Sequence, residues 1–252
     1  MTWDPDVYLR FSDHRLRPGV ELLDRVGDFS PRNAVDLGCG TGALTRLIAA
    51  RYPNVSVVGI DSSETMLQRA PSDLPNLTWR RQTIEDWLPD GDVGLVFSNA
   101  ALHWLDDHPR LFGRLGTAIP SGGVLAVQMP DNWDQPTHQV PAAILDAGGY
   151  DDVADSLIRH RVAEPADYRR WLGPGLEVDM WTTTYHQILR GPDPVLEWVR
   201  GSVLAPVLER LEEPRRSRFL AEAARRYREA YPPGDDDTTV LPFRRLFIVA
   251  RR

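Results

Sequence analysis

Seven residues constrain this chain more than any others. Asp36-Leu37-Gly38-Cys39-Gly40-Thr41-Gly42 stands between a short apolar run at 34–37 and a helical stretch over 43–51. Glycines at such a junction let the main chain take positive φ and approach a ligand closely, which residues with a Cβ do only at a cost. A strand, a glycine turn and a helix make the first half of a βαβ unit, and the pattern downstream completes it. Residues 55–60 are a β-branched run ending at Asp61, with Ser62-Ser63 placed to cap a helix. Residues 77–81, 93–98 and 123–129 read as third, fourth and fifth strands. This alternation predicts a parallel sheet covered on both faces.

Beyond Pro130 the pattern loosens into scattered helical signal up to about residue 165. Strand-like alternation returns over 176–188 through Val178, Met180, Thr182 and Thr184. Val195, Val199, Val203, Val207 and Leu211 then recur every four residues, as do Phe219, Ala223, Tyr227 and Tyr231, predicting two amphipathic helices. Residues 246–250 close the chain as a buried strand.

Composition narrows the chemistry. All 29 basic residues are Arg, which removes a P-loop lysine, a lysine Schiff base and a lysine general base. A net charge of −7 argues against nucleic acid and anionic membrane as partners. The single cysteine, Cys39, permits no internal disulfide. With no signal-peptide core before Arg17 and no long apolar stretch, the expectation is a cytoplasmic protein.

The glycine spacing alone is ambiguous, because Gly38, Gly40 and Ala43 also satisfy a dinucleotide-binding pattern. Asp36 argues against that reading: it would be repelled by a pyrophosphate and attracted to the ammonium of an amino-acid moiety. Asp61, closing the second strand, is placed to accept ribose hydroxyls. Asn99-Ala100-Ala101-Leu102-His103-Trp104 follows the fourth strand, at the carboxyl edge where ligands bind in such sheets. Asp36 or Asp61 alone can be a turn cap. Both together, with three glycines and Asn99, point to a ligand.

From about Val35 to Pro130 these residues resemble the class I S-adenosylmethionine-dependent methyltransferases. The resemblance implies an α/β, Rossmann-like doubly wound sheet of seven strands. That sheet is mostly parallel, with an antiparallel last strand and helical insertions forming a cap. The expected layout is an N-terminal helical lid over residues 1–30 and a methyltransferase domain over 31–252, with cap insertions at about 131–165 and 192–232. The resemblance also implies that Asp36, Gly38, Gly40 and Gly42 line the methionine end of the cofactor. Asp61 would hold the ribose, Ser62 and Met66 would pack near the adenine, and Thr83 and Ile84 would flank the ring. Many members carry an acid where Thr83 stands, so Glu85 or Asp86 would substitute. Asn99 would sit beside the sulfonium.

The acceptor is less legible. A carboxylate is ionised at neutral pH and needs no general base, unlike most phenols and amines. A second resemblance runs almost end to end. Trp3-Asp4-Pro5-Asp6-Val7-Tyr8-Leu9-Arg10-Phe11-Ser12, the segment 98–104, Ala126-Val127-Gln128-Met129-Pro130-Asp131-Asn132-Trp133, the segment 178–187 and Leu241-Pro242-Phe243-Arg244-Arg245-Leu246-Phe247 are together similar to the trans-aconitate 2-methyltransferases. It departs between about 141 and 161. It implies methyl transfer to a carboxylate of trans-aconitate or a related small polycarboxylate. The alternatives are a secondary-metabolite hydroxyl or amine as acceptor, and a non-catalytic S-adenosylmethionine-binding protein.

Carboxylate recognition would fall to Arg17, Arg245 and His186, with Arg10, Arg15, Arg244 and Tyr185 as further candidates. Tyr8 and Phe11, a helical turn apart, would close over the cofactor. His103 can be a general base, an acceptor ligand or a histidine packed on Trp104, and Gln128 either binds an acceptor oxygen or caps the turn at Pro130. Asp106, Asp107 and His108 beside His103 raise the question of a metal. Asp107 followed by Pro109 reads instead as a helix N-cap and first-turn proline, and no metal is expected. The expected oligomeric state is a monomer or a weak homodimer.

Overall fold

The computed structural model describes residues 12–89, 91, 93–157 and 162–252, with side chains from residue 16 onward. Its strands are β1 (Asn33–Leu37), β2 (Ser56–Asp61), β3 (Leu77–Arg81), β4 (Leu95–Asn99), β5 (Val124–Pro130), β6 (Glu177–Arg190) and β7 (Thr238–Arg251). They form one sheet in the order β3-β2-β1-β4-β5-β7-β6. The pairs β1–β2, β2–β3, β1–β4 and β4–β5 are parallel. β7 runs against β5: Arg252 exchanges hydrogen bonds with Gly122 and Gly123, and the Arg244 carbonyl accepts from Asp131 N past the other end of β5. The expected seven-stranded, mostly parallel sheet with an antiparallel last strand is therefore the one the chain forms.

The inner strands are apolar without alternation, as burial on both faces demands. Leu95, Val96 and Phe97 of β4 and Leu125, Ala126 and Val127 of β5 are fully buried. Strand order reverses at β1, whose neighbours are β2 and β4. The crevice beyond the carboxyl ends of β1 and β4 is where such sheets hold ligands.

The helices are α1 (Ser12–Val26), α2 (Ala43–Arg51), α3 (Glu64–Leu67), α4 (His108–Ala118), α5 (Pro136–Asp146), α6 (Pro165–Trp171), α7 (Pro194–Arg200), α8 (Ala205–Arg210) and α9 (Arg215–Ala230). The chain divides into two compact units. The larger spans 15–130, 162–183 and 246–252, and its core includes Phe112, Tyr168 and Ile248. The second takes in 131–157 and 184–245 among the described residues, with a separate core that includes Leu204, Phe219 and Tyr227. β6 and β7 run through both.

Within the larger unit, α1 is anchored at its carboxyl half. Leu22, Leu23 and Val26 are buried, and a Cβ on Gly19 would stand 2.3 Å from Leu44 Cδ1. Arg51 donates to the Asp24 carboxylate and the Gly27 carbonyl. Tyr8 and Phe11, the expected lid residues, and the carboxylate candidate Arg10 lie outside the described residues, as does the side chain of Arg15.

Two larger differences from the sequence expectation concern the 195–211 helix and the last strand. The single helix expected from Val195 to Leu211 is two, α7 and α8, broken after Gly201. Its four-residue apolar period survives because both pieces pack into the same core. The last strand starts at Thr238, eight residues before the apolar run at 246, so Arg244 and Arg245 lie inside β7.

Candidate active site

The glycine turn leaves β1 and folds back over β2. Gly38 N and Cys39 N both donate to the Ile60 carbonyl at 2.8 and 2.9 Å. Gly38, Gly40 and Gly42 all have positive φ, at 74°, 57° and 77°. They are glycines for different reasons. A Cβ on Gly38 would stand 2.2 Å from Ala101 Cβ, and one on Gly42 would stand 2.2 Å from the Trp79 ring. Around Gly40 a Cβ would meet nothing within 4 Å, so only its backbone conformation requires glycine there.

Two carboxylates flank the turn. Asp61, ending β2, is half-buried and holds the loop by its own oxygens: Oδ2 accepts from Gly40 N and Oδ1 from Ser63 N, each at 2.8 Å. Each oxygen keeps a second lone pair for a further donor. Asp36 is 2 % exposed, and its Oδ2 accepts from Thr45 Oγ1 at 2.6 Å. Burial pushes the Asp36 carboxyl up from 3.8 to about 7; Thr45 lowers it, and the nearby Asp61 charge raises it further. Among the described residues no cation offsets the charge of this buried acid. Thr45 was not singled out from the sequence; its signal is a hydroxyl three positions past the last glycine, on the first turn of α2.

The segment after β4 forms the opposing wall. Parallel pairing sets Asp36 level with Phe97, so Asn99 comes level with the first glycine. Ala100 has φ 53°, a strained value for a residue with a Cβ, and such strain concentrates at functional sites. Asn99 is half-buried, and its Oδ1 is buried with no donor among the described residues. Native proteins rarely leave such an acceptor unsatisfied without a ligand or water to meet it. Leu102–Trp104 form a 3₁₀ turn that brings the His103 and Trp104 rings to 4.5 Å.

His108 was missed as a support for this turn. Its Nε2 lies 3.0 Å from the Leu102 carbonyl and its Nδ1 lies 2.8 Å from the Tyr168 hydroxyl, both buried. Asp107 caps α4 by accepting from Arg110 N, as the Asp107–Pro109 spacing predicts.

On the adenine side, Ser63, the second serine of the pair, caps α3. Ser62 is exposed and Met66 buried. Ile84 is buried, and its Cδ1 would lie 3.4 Å from a Cβ on Gly38. Thr83 is exposed and donates to Asp86 Oδ2 at 2.7 Å, so these two expected adenine contacts are already engaged with each other.

The acceptor candidates fall in different places. Gln128, in the larger unit, is fully buried, and its carbonyl accepts from Ala100 N. Arg17 is exposed and paired with Glu21 at 2.8 Å on α1. In the second unit, Arg244 is committed to Asp131 at 2.9 Å. Asn132 is spent on the Arg244 main chain, donating to its carbonyl and accepting from its N–H. Arg245 is 3 % exposed, with its guanidinium 4.9 Å from the Phe243 ring centre. Tyr185 is buried and His186 exposed. Consecutive strand residues point to opposite faces, so these two do not line one site.

A family model described as a methyltransferase domain matches residues 34–123. Trans-aconitate 2-methyltransferase of Methylobacterium radiotolerans is 42 % identical over 99 % of this chain and 98 % of its own length. The protein of that name from Rhodococcus jostii is 44 % identical over 99 % of each chain. Among solved structures, coclaurine N-methyltransferase bound to N-methylheliamine and S-adenosylhomocysteine superposes with a TM-score of 0.56 at 13 % identity, covering 94 % of this chain and 72 % of that one.

Proposed function

The chain belongs to the family of the trans-aconitate 2-methyltransferases, and on that premise we propose that it methylates a carboxylate oxygen of trans-aconitate or a similar small polycarboxylate, with S-adenosylmethionine as donor. The observation that carries this reading is the match along both chains from end to end, which no generic methyltransferase fold would produce. When bound, S-adenosylmethionine supplies an electrophilic methyl group: the carbon–oxygen bond forms as the carbon–sulfur bond breaks, and the electron pair stays on the sulfur of S-adenosylhomocysteine.

The residues present fit that donor. The unsatisfied Asn99 Oδ1 and the open face of Gly40 leave a place for a polar ligand beside the glycine turn. Gly38, Gly40 and Gly42 present main chain to its methionine part, and Asp36 meets the ammonium its burial calls for. Asp61, already oriented by two backbone amides, offers its remaining lone pairs to the ribose hydroxyls. Met66 and Ile84 supply the apolar contact for adenine, with Ser62 and Thr83 at its rim. Asn99 and His103 border the methyl group.

A carboxylate acceptor arrives ionised, so His103 acts here by orienting the acceptor rather than by removing a proton. Arg245 is the guanidinium assigned to a carboxylate, a pairing that is bidentate and strong when water is excluded. Trp104, Gln128 and Tyr185 are assigned to the acceptor as well, and Arg17 and His186 are not. The same reading takes the protein as a cytoplasmic monomer or weak homodimer; a lone cysteine supports the compartment, and no described helix is long and apolar enough to cross a membrane.

The test is methyl transfer from labelled S-adenosylmethionine to a panel of trans-aconitate, cis-aconitate, citrate, isocitrate and several phenols. Turnover of trans-aconitate well above the rest is expected. Preference for a phenol would overturn the acceptor assignment, and S-adenosylhomocysteine binding without turnover on any acceptor would indicate a binding protein.

A further inference from the structure

Arg114 lies in the middle of α4, outside the motifs that mark the site. Its guanidinium nonetheless gathers three main-chain carbonyls of the segment that follows β3. Nη2 donates to Ile84 O at 2.8 Å, and Nη1 donates to both Trp87 O, at 2.8 Å, and Glu85 O. That segment carries Thr83 and Ile84, and Ile84 leans on the glycine turn. The side-chain bond between Thr83 and Asp86 closes it into a compact turn.

Three carbonyls converging on one point repel one another unless a planar group with several N–H donors sits among them. Guanidinium is the side chain with that geometry; an ammonium offers a single centre. The same helix also holds the opposite wall, because His108 at its first residue engages the Leu102 carbonyl at the head of the His103 turn. α4 thus fixes the segments after β3 and after β4 from one rigid element.

We propose that Arg114 is a positioning residue for the donor's adenine end, holding the 84–87 turn in its binding conformation before the ligand arrives. This rests on the methyltransferase reading above. A loop ordered in advance costs the ligand nothing to order, whereas a loosened one subtracts its ordering from the affinity. Arg114 would therefore act on donor affinity and leave the transfer step alone.

The experiment compares Arg114→Met, Arg114→Lys and a charge-matched control, Arg110→Met, an exposed arginine on the same helix. S-adenosylhomocysteine affinity is read by calorimetry, and KM and kcat are read by methyl transfer. R114M should weaken S-adenosylhomocysteine binding and raise KM for the donor by about tenfold or more, the equivalent of one charge-assisted hydrogen bond. Its kcat at saturating donor and its KM for the acceptor should hold. R114K should recover only part of the affinity, and R110M should match the parent.

R114M binding like the parent, or a fall in kcat with KM unchanged, would overturn the proposal. If R114M does not fold, R114K decides: weak donor binding with an intact kcat supports the proposal, and parental affinity refutes it. Failure of both variants to fold would make Arg114 a structural support and also overturn it. If the parent itself fails to bind S-adenosylhomocysteine, the methyltransferase reading falls, and this inference with it.

Discussion

Replacing Asp36 by Asn separates what the site needs from what the fold would prefer. The Asp36 carboxyl is buried and titrates near 7 instead of 3.8, mainly because burial disfavours its charge. The native state thus holds this proton more tightly than the unfolded chain does. Stability from this group is fully present below pH 4 and is lost as pH rises towards and through 7. At about 1.4 kcal/mol per pH unit, the buried carboxyl costs about 2 kcal/mol at pH 5, where it keeps a proton that the unfolded chain has lost, and about 4 kcal/mol at pH 8, where it is ionised in its buried place. Asn keeps the shape and can still accept from Thr45, but carries no charge.

D36N should therefore be more stable than the parent, by a margin that widens by about 2–3 kcal/mol between pH 5 and pH 8. Urea unfolding of both proteins in the absence of ligand measures it. Ligand binding should move the other way. A cationic amino group favours ionised Asp36, so parental affinity for S-adenosylhomocysteine should tighten from pH 6 to pH 8, while D36N binds weakly with little pH dependence. A stability difference that stays flat across the range, or D36N less stable than the parent at pH 8, would refute the reasoning.

Gly38→Ala must place a Cβ 2.2 Å from that of Ala101 at positive φ, so it should lose about 3 kcal/mol or more, whereas Gly40→Ala pays only the conformational cost of about 1–2 kcal/mol; urea midpoints decide the ranking. Burial and the nearby charges of Asp36 and Asp61 push the Cys39 thiol well above its usual range. Iodoacetamide at pH 8 should therefore alkylate it at least about a hundredfold more slowly than a free thiol, as followed by mass spectrometry. Arg245→Lys keeps the charge but not the bidentate fork; KM for trans-aconitate should rise by about tenfold with S-adenosylhomocysteine affinity unchanged, and an unchanged KM would remove Arg245 from the acceptor site.

The geometry of the glycine turn and its flanking strands was legible because it is written in local chemistry. Glycines at three positive-φ positions, Asp36 one residue before the end of β1, Asp61 ending β2 and Asn99 ending β4 are local signals, and the start and end of α2 fall where the helical stretch places them. The positioning residues were not legible. Thr45 acts on a carboxylate nine residues away, and His108 and Arg114 act on main-chain carbonyls, which carry no residue identity to find. The early start of β7 was hidden by Pro242 and by the charges of Arg244 and Arg245 within the strand. For Tyr185 and His186, period-two alternation already sets the two side chains on opposite faces of β6, one buried and one exposed.

The most direct test of the central claim is the alkaline stability of the product. The protein is incubated with trans-aconitate and methyl-labelled S-adenosylmethionine, and the labelled product is isolated and treated with mild base. Methylation at a carboxylate oxygen makes an ester, so the label should leave as volatile methanol. Label that stays on the product through base treatment would place the methyl group on carbon, nitrogen or an ether oxygen, and would contradict the account.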